Sequence, residues 1–163
     1  MIKTPVEVFG VCAAAALYRS KALKEVGLFD KSFFTILEDV DLSWRIRLSG
    51  YKALLVPTAK VFHKRGISGR KQNSKRLAML KTYYGSKNRV CLVLKYYPTG
   101  LILKFFALLC CRFFRASTCS MGIKDNLITD VFRCLKQRKT IHHKYPNIKE
   151  IQDKWIRRSP IGI

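Results

Sequence analysis

Three carboxylates crowd into four consecutive positions, Glu38, Asp39 and Asp41, in a chain that is otherwise strongly basic. A carboxylate beside a cleft can act as a general base, because it can accept the proton of a substrate hydroxyl at hydrogen-bond distance. The same acids also suit the first turn of a helix, where each complements the helix dipole by roughly 0.3–1 kcal/mol. The residue types therefore leave two interpretations open, a catalytic base and a charged helix start.

The segment around the acids predicts a helix. Neither Gly nor Pro occurs from Glu38 to Ser49, and Gly50 follows, which is typical of a helix that ends in a glycine. Asp41 and Arg45 are four residues apart, with the acid first, so they predict an ion pair along the helix. Apolar residues at three- and four-residue spacing predict an inward face, formed by Leu37, Val40, Trp44 and Leu48.

The flanking segments predict the elements that position this helix. The apolar run from Val8 to Tyr18 suits a buried strand, although its four alanines would also suit a helix. Small residues in this run would allow another backbone to approach closely, or would only pack tightly. Three further helices are predicted: Lys21 to Val26, capped by Ser20, Leu77 to Tyr97 and Asp125 to Leu135. A strand is predicted from Tyr51 to Val56 and a short extended piece from Lys60 to His63. The basic tail over Gln137–Ile163 is expected to be poorly ordered or to lie on a surface.

Several side chains outside the acidic cluster are further candidates for a site. Phe29 is expected in the core, whereas Phe33 and Phe34 either pack there as well or line a substrate groove. The loop from Lys64 to Arg76 holds six Lys or Arg residues and reads either as a lid over a diphosphate or as a solvated loop.

The segment from Leu101 to Phe114 is apolar except for Lys104 and Arg112. It is shorter than the roughly 20 apolar residues that a membrane-spanning helix needs. With basic flanks it predicts a helix that lies in the membrane interface, and the alternative is a core helix covered by another part of the enzyme.

Composition limits the classes of function. The chain has 163 residues, a one-domain length, with 48% hydrophobic residues and a net charge of +22. This excess favours a polyanionic partner, such as nucleic acid, an anionic membrane or a phosphorylated substrate. Six cysteines without a C-x-x-C pair predict small buried side chains in a reducing compartment, not a zinc site or a disulfide framework.

Several motifs in order resemble the inverting family-2 glycosyltransferases of the GT-A fold. The residues that carry the resemblance are Glu38–Asp39 with Asp41–Leu42 and Arg45, Val26–Asp30 with Phe33–Phe34, Gly50–Tyr51, Pro57, His63, and Asn88–Arg89 of the rhamnosyltransferase-like members. The resemblance covers about Phe9 to Tyr97 and implies an α/β fold, the C-terminal, acceptor-side half of a GT-A domain, followed by amphipathic helices. Since the nucleotide-binding half and its D-x-D motif are not found, we expect a fragment, a split gene product or a degraded copy.

The resemblance also implies roles for individual residues. Asp39 would be the catalytic base, and the acceptor would be bound by Glu38, Asp41, Arg45 and Phe33, with pairing to Arg45 as the alternative for Asp41. His63 would help to bind a divalent metal (Mg or Mn), and the donor diphosphate would contact Lys64, Arg65 and Arg70. Arg89 would meet the phosphate of the acceptor or pair with a carboxylate.

The implied activity is transfer of a sugar from a nucleotide-sugar donor to a glycan or lipid-diphosphate acceptor, at the cytoplasmic face of the cell membrane, in cell-surface polysaccharide synthesis. The predicted organisation is a partial glycosyltransferase domain over 1–97, amphipathic helices over 98–138 and a basic tail over 139–163. The alternatives are a catalytically inactive membrane-associated module that binds a partner chain, such as a separate N-terminal half, and, less favoured, a nucleic-acid-binding domain.

Overall fold

A computed structural model describes residues 3–63, 74–119 and 126–156. Within these ranges the chain is mostly helical and carries one small antiparallel sheet of two strands. The elements are β1 (Val6–Val8), α1 (Ser20–Val26), α2 (Glu38–Leu48), β2 (Ala53–Leu55), α3 (Ser74–Tyr96), α4 (Thr99–Lys104), α5 (Phe106–Thr118), α6 (Leu127–Lys144) and α7 (Ile148–Trp155), with single 3-10 turns at Ala13–Ala15 and Lys31–Phe33.

Helix α3 is the centre of the structure, and α2, α5 and α6 all pack against it. Its apolar side chains enter three buried clusters, and the largest of these joins α2, α3, α6 and α7. In that cluster the Trp44 and Tyr96 rings stack at a centroid distance of 5.0 Å. Burial of such large rings is a main source of folding free energy, so α3 fixes the position of α2.

The two-stranded sheet is tied to α2 by one arginine. Strand β1 pairs with β2 in the register Val6↔Leu55. The guanidinium of Arg47, buried on α2, donates to the Glu7 carboxylate at 2.6 Å, to the Phe9 carbonyl at 2.8 Å and to the Val8 carbonyl. These bonds hold β1 and Phe9 against the last turn of α2.

The local predictions for α1, α2, β2 and α3 are confirmed within a few residues. Ser20 is the first residue of α1, however, and not its side-chain cap. The buried strand predicted over Val8–Tyr18 is wrong, because β1 ends at Val8 and the alanines form an exposed 3-10 turn. The predicted extended piece at Lys60–His63 is not a strand either.

The C-terminal third is more ordered than predicted. The single helix expected over Leu101–Phe114 is two helices, because the chain turns at Phe105. No helix in the described ranges could span a membrane. The predicted tail boundary at 139 falls inside α6, and α7 buries Ile148 in the core. The fold is α/β only in a loose sense, and a GT-A half is not confirmed.

The cysteines are only partly buried. Cys91 and Cys134 lie in the core, as predicted, whereas Cys12 and Cys111 are exposed and the other two cysteines are intermediate.

Candidate functional site

The candidate site is a pocket at the start of α2. It has a volume of about 280 Å³ and is lined by Phe9, Gly10, Val11, Cys12, Asp39, Val40 and Ser43. One wall is the segment after β1 and the other is the first two turns of α2. Asp39 carries the only carboxylate among these lining residues.

Main-chain groups orient the Asp39 carboxylate. Oδ2 accepts a hydrogen bond from the Ala13 N–H at 3.1 Å, and Oδ1 accepts one from the Val40 N–H at 2.9 Å. The side chain is half-buried, so it is held in place and still faces the pocket. Each carboxylate oxygen has more than one acceptor site, which leaves capacity for a proton or a ligand hydroxyl.

Gly10 allows the two walls to approach each other. A Cβ atom built at this residue would lie 2.2 Å from Ser43 Oγ and 2.4 Å from its Cβ. Any side chain at residue 10 would therefore displace Ser43 and separate the walls. The sequence prediction that small residues in this segment permit close approach is confirmed at this position.

The backbone leading into α2 is strained. Phe34, Ile36 and Leu37 have φ values of 54°, 65° and 70°, which are uncommon for residues with side chains. The amide of Asn88 on α3 holds this turn, because its Nδ2 donates to the carbonyls of Phe33 at 2.9 Å, Thr35 at 2.8 Å and Ile36 at 2.6 Å. Strained backbone of this kind costs about 1–3 kcal/mol per residue and clusters at functional sites.

Asp41 lies on the opposite side of α2 and is fully buried. Its carboxylate accepts hydrogen bonds from Arg45 Nε at 2.9 Å and Tyr96 Oη at 2.9 Å, and it forms a close ion pair with Lys95 Nζ. The predicted pair with Arg45 is confirmed. The alternative role in binding an acceptor does not fit, since no solvent reaches this carboxylate.

Two other predicted acceptor contacts are also structural. Arg45 donates to the carbonyls of Val26 and Leu28, both at 2.8 Å, so its guanidinium fixes the end of α1 against α2. Phe33 is 1% exposed and belongs to the core, whereas Phe34 is 72% exposed. If an aromatic ring of this turn meets a ligand, burial favours Phe34 over Phe33.

Glu38 lies next to Asp39 at the start of α2. The residue is half-buried, and its Oε2 is buried with no hydrogen-bond partner among the described atoms. The hydroxyl of Tyr18 is likewise buried, with no hydrogen-bond partner among the described atoms. Burial raises the pKa of Tyr18, and the negative charges of Asp39 and Glu38 raise it further. Sequence reasoning missed Tyr18, because it forms the end of the predicted buried strand.

The residues predicted to bind the metal and the diphosphate are not brought to this pocket. His63 is exposed and does not line it. Lys64, Arg65 and Arg70 lie outside the described residues. In the described ranges, no three His, Cys, Asp or Glu side chains form a group that could hold a metal ion. The role of His63 in binding a metal stays a prediction.

Comparison with known proteins gives one kind of partial match. The chain is similar to the N-acetylglucosaminyl-diphospho-decaprenol L-rhamnosyltransferases of Mycobacterium tuberculosis strains CDC 1551 / Oshkosh and ATCC 25618 / H37Rv, with 37% identity over 62 residues in each case. The match covers 38% of this chain and 20% of each relative.

No protein-family model and no solved structure matches the chain. The chain thus matches about a fifth of the length of these curated relatives. That likeness supports a glycosyltransferase-like relationship at a coarse level and leaves the family open.

Proposed function

We propose that this chain carries the acceptor-side segment of an inverting glycosyltransferase, with Asp39 as the general base. The observation that carries the proposal is the contrast between two carboxylates of one helix. Asp41 is enclosed by Lys95 and Tyr96, whereas Asp39 is oriented by main-chain N–H groups on the wall of a pocket. The partial likeness to rhamnosyltransferases supports the same reaction class.

In the proposed reaction an acceptor hydroxyl enters the pocket and hydrogen bonds to Asp39. The carboxylate takes the proton while the acceptor oxygen forms a bond to the anomeric carbon of the donor sugar. The bond from that carbon to the nucleotide diphosphate breaks, and the diphosphate leaves with the bonding electrons. Attack from the face opposite the leaving group inverts the configuration. In this proposal Glu38, next to the base in the sequence, would contact acceptor hydroxyls.

The proposed donor and acceptor are based on the rhamnosyltransferase relatives. A nucleotide-sugar would be bound mainly by a nucleotide-binding half, which the described residues do not supply. A lipid-diphosphate acceptor fits the rhamnosyltransferase relatives, whose name contains a diphospho-decaprenol. The proposed setting is synthesis of a cell-surface polysaccharide.

The test supplies the 163-residue chain with the nucleotide-binding half of one matched rhamnosyltransferase and measures sugar transfer from a panel of nucleotide-sugars. Asp39→Asn is expected to lower turnover by about 10²–10⁴-fold, the usual contribution of a general base. Asp153→Asn is the matched control, because it makes the same change at an exposed residue of α7. If Asp39→Asn transfers sugar as fast as the parent protein, Asp39 is not the base.

A second candidate is an inactive module that binds a partner chain. Apolar side chains are exposed on β2 and on the loop after it: Leu54 is 53%, Leu55 49%, Val61 61% and Phe62 98% exposed. Apolar exposure of this kind is typical of a surface that another chain covers. This candidate predicts stable binding to the nucleotide-binding half with no sugar transfer by any variant, including the parent.

A further inference from the structure

The outer face of α5 is apolar although it is exposed. Phe106 and Phe114 are 61% and 68% exposed. Phe114 points away from the buried Leu109 and Ala116, whereas Phe106 lies at the edge of the exposed face of α5. On α4, Leu103 is 69% exposed. Large apolar side chains at these levels of exposure are costly in water unless a partner covers them.

Helix α6 repeats this arrangement. Ile128, Phe132 and Leu135 are 58%, 66% and 40% exposed and recur at a spacing of four and three residues. The opposite face of α6 buries Leu127 and Cys134. Two helices that both pack on α3 thus each expose an apolar stripe.

Three arginines lie together where α5 packs against α3. Leu109 packs with Val90 and Val93 of α3, and Ala116 packs in the cluster that contains Tyr83 and Tyr84. The two helices therefore run antiparallel, and this register sets Arg112 opposite Arg89. Arg115 follows one turn after Arg112 on α5.

Electrostatics agrees with this register. Burial lowers the pKa of Arg112, and repulsion from the Arg89 and Arg115 guanidinium groups lowers it further. Across the described residues, Arg89 and Arg115 form no ion pair with a carboxylate. Like charges held together in this way favour binding of an anion such as a phosphate group.

The surrounding surface is almost free of acids. The described parts of α4, α5 and α6 contain eight basic residues: Lys104, Arg112, Arg115, Arg133, Lys136, Arg138, Lys139 and Lys144. Their one acid is Asp130, which pairs with Lys87 at 2.6 Å and also with Arg133. A covering protein with an ordinary surface would not match this charge, whereas a bilayer with anionic headgroups matches both the charge and the apolar stripe.

We propose that α4, α5 and α6 form a docking face for an anionic membrane, in which Phe106 and Phe114 enter the acyl boundary while Arg89 and Arg115 bind lipid phosphates. Helix α5 has 13 residues and would lie in the plane of the interface, consistent with the lack of any spanning helix among the described residues. This proposal does not depend on the glycosyltransferase assignment.

The test is co-sedimentation of the whole 163-residue chain with lipid vesicles. One set is phosphatidylcholine and the other contains about 30% phosphatidylglycerol, in the range of anionic lipid that creates a negative surface potential. Each basic residue at such a surface strengthens binding by about fivefold, so Arg89→Gln with Arg115→Gln is expected to weaken binding to anionic vesicles by roughly 25-fold. Circular dichroism checks that each variant is folded.

The matched charge control is Lys21→Gln with Lys24→Gln, which removes two exposed charges from α1. Its binding is expected to stay within about twofold of the parent, because α1 lies outside the docking face. Equal losses in the two double variants would mean that the overall charge of +22, and not this face, attracts the lipid. That result would overturn the proposal.

The apolar stripe has its own pair of variants. Phe106→Ser with Phe114→Ser is expected to weaken vesicle binding by about tenfold or more, because two aromatic rings no longer leave water. The control is Leu17→Ser with Leu28→Ser, at residues that are 100% and 71% exposed elsewhere. If the phenylalanine variant binds vesicles like the parent but abolishes a dimer in gel filtration, a second copy covers this face and the membrane proposal is wrong.

Discussion

Replacing Asp41 by Asn tests whether its carboxylate holds α2 to α3. The substitution keeps the shape of the side chain and removes its charge. Lys95 would then stay buried, with its side chain 3% exposed, and the nearest remaining carboxylate would be that of Asp30 at 3.7 Å. Tyr96 and Arg45 would each lose a charged acceptor and keep, at best, a neutral one.

The expected loss in free energy of unfolding is about 3–5 kcal/mol, the usual cost of leaving one partner of a buried ion pair alone. The carboxylate of Asp30 moderates this loss, so the lower end of the range is expected. Domains of this size have a total stability of about 5–15 kcal/mol, so the variant should still fold at low temperature. Urea denaturation followed by circular dichroism measures the difference.

Asp39→Asn is the matched control, because it makes the same change two residues away. Asp39 is half-buried and accepts only from main-chain N–H groups, so the expected loss is about 1 kcal/mol or less. Equal stability losses in the two variants would refute the division into a structural and a reactive carboxylate. A loss below about 1 kcal/mol for Asp41→Asn would refute the ion-pair argument itself.

A double variant separates charge from packing. Asp41→Leu with Lys95→Met removes both charges and keeps apolar volume, and such replacements of buried pairs are often neutral or stabilising. The double variant is therefore expected to be more stable than Asp41→Asn. If it is less stable, the hydrogen bonds from Arg45 and Tyr96 matter more than the buried charge of Lys95.

Two further predictions concern the strained turn and the C-terminal helices. Asn88→Ala removes the donor to three carbonyls of the turn before α2. It is expected to lower the free energy of unfolding, measured by urea denaturation, by about 1–3 kcal/mol. A loss near zero would contradict the restraining role of Asn88. Burial, with a nearby arginine, lowers the pKa of His142 below its ordinary value of 6.5, so the unfolded chain binds the proton first and the free energy of unfolding should fall as the pH drops below about 6.5. Above that pH this contribution is absent. His142→Gln should remove this part of the pH dependence, and an unchanged acid limb would refute the assignment.

Local sequence patterns predicted α2 and its ion pair well. The apolar spacing, the acids of the first turn and Gly50 all act within a few residues, and the Asp41–Arg45 contact is one helical turn long. Such signals depend on the helix alone, so they do not require knowledge of the tertiary fold. The carboxylate cluster and its place in the first turn of α2 could therefore be located from the sequence.

The contacts that distinguish the carboxylates could not be predicted in this way. Lys95 and Tyr96 lie 54 and 55 residues after Asp41, and Asn88 lies 52 residues after Ile36. Only the packing of α3 against α2 brings them together. A lysine within an apolar helix reads as a solvated charge, and only its burial shows that it needs a carboxylate partner.

The wrong strand over Val8–Tyr18 has a related cause. A continuous apolar run predicts burial, but an alanine side chain has little apolar area and so loses little free energy when it stays exposed. The run instead turns at Ala13, whose N–H is needed by Asp39. An element that looked like core is thus part of the wall that orients the candidate base.

The geometry of α2 explains how one short acidic cluster can serve two purposes. Successive residues of an α-helix are about 100° apart, so Asp39 and Asp41 point in directions about 200° apart. When α3 captures Asp41 with Lys95, Asp39 must face away from the core and toward the segment after β1. Moving either acid by one residue would turn its carboxylate by about a quarter of a circle and break this division. The buried ion pair therefore sets the direction of the candidate base.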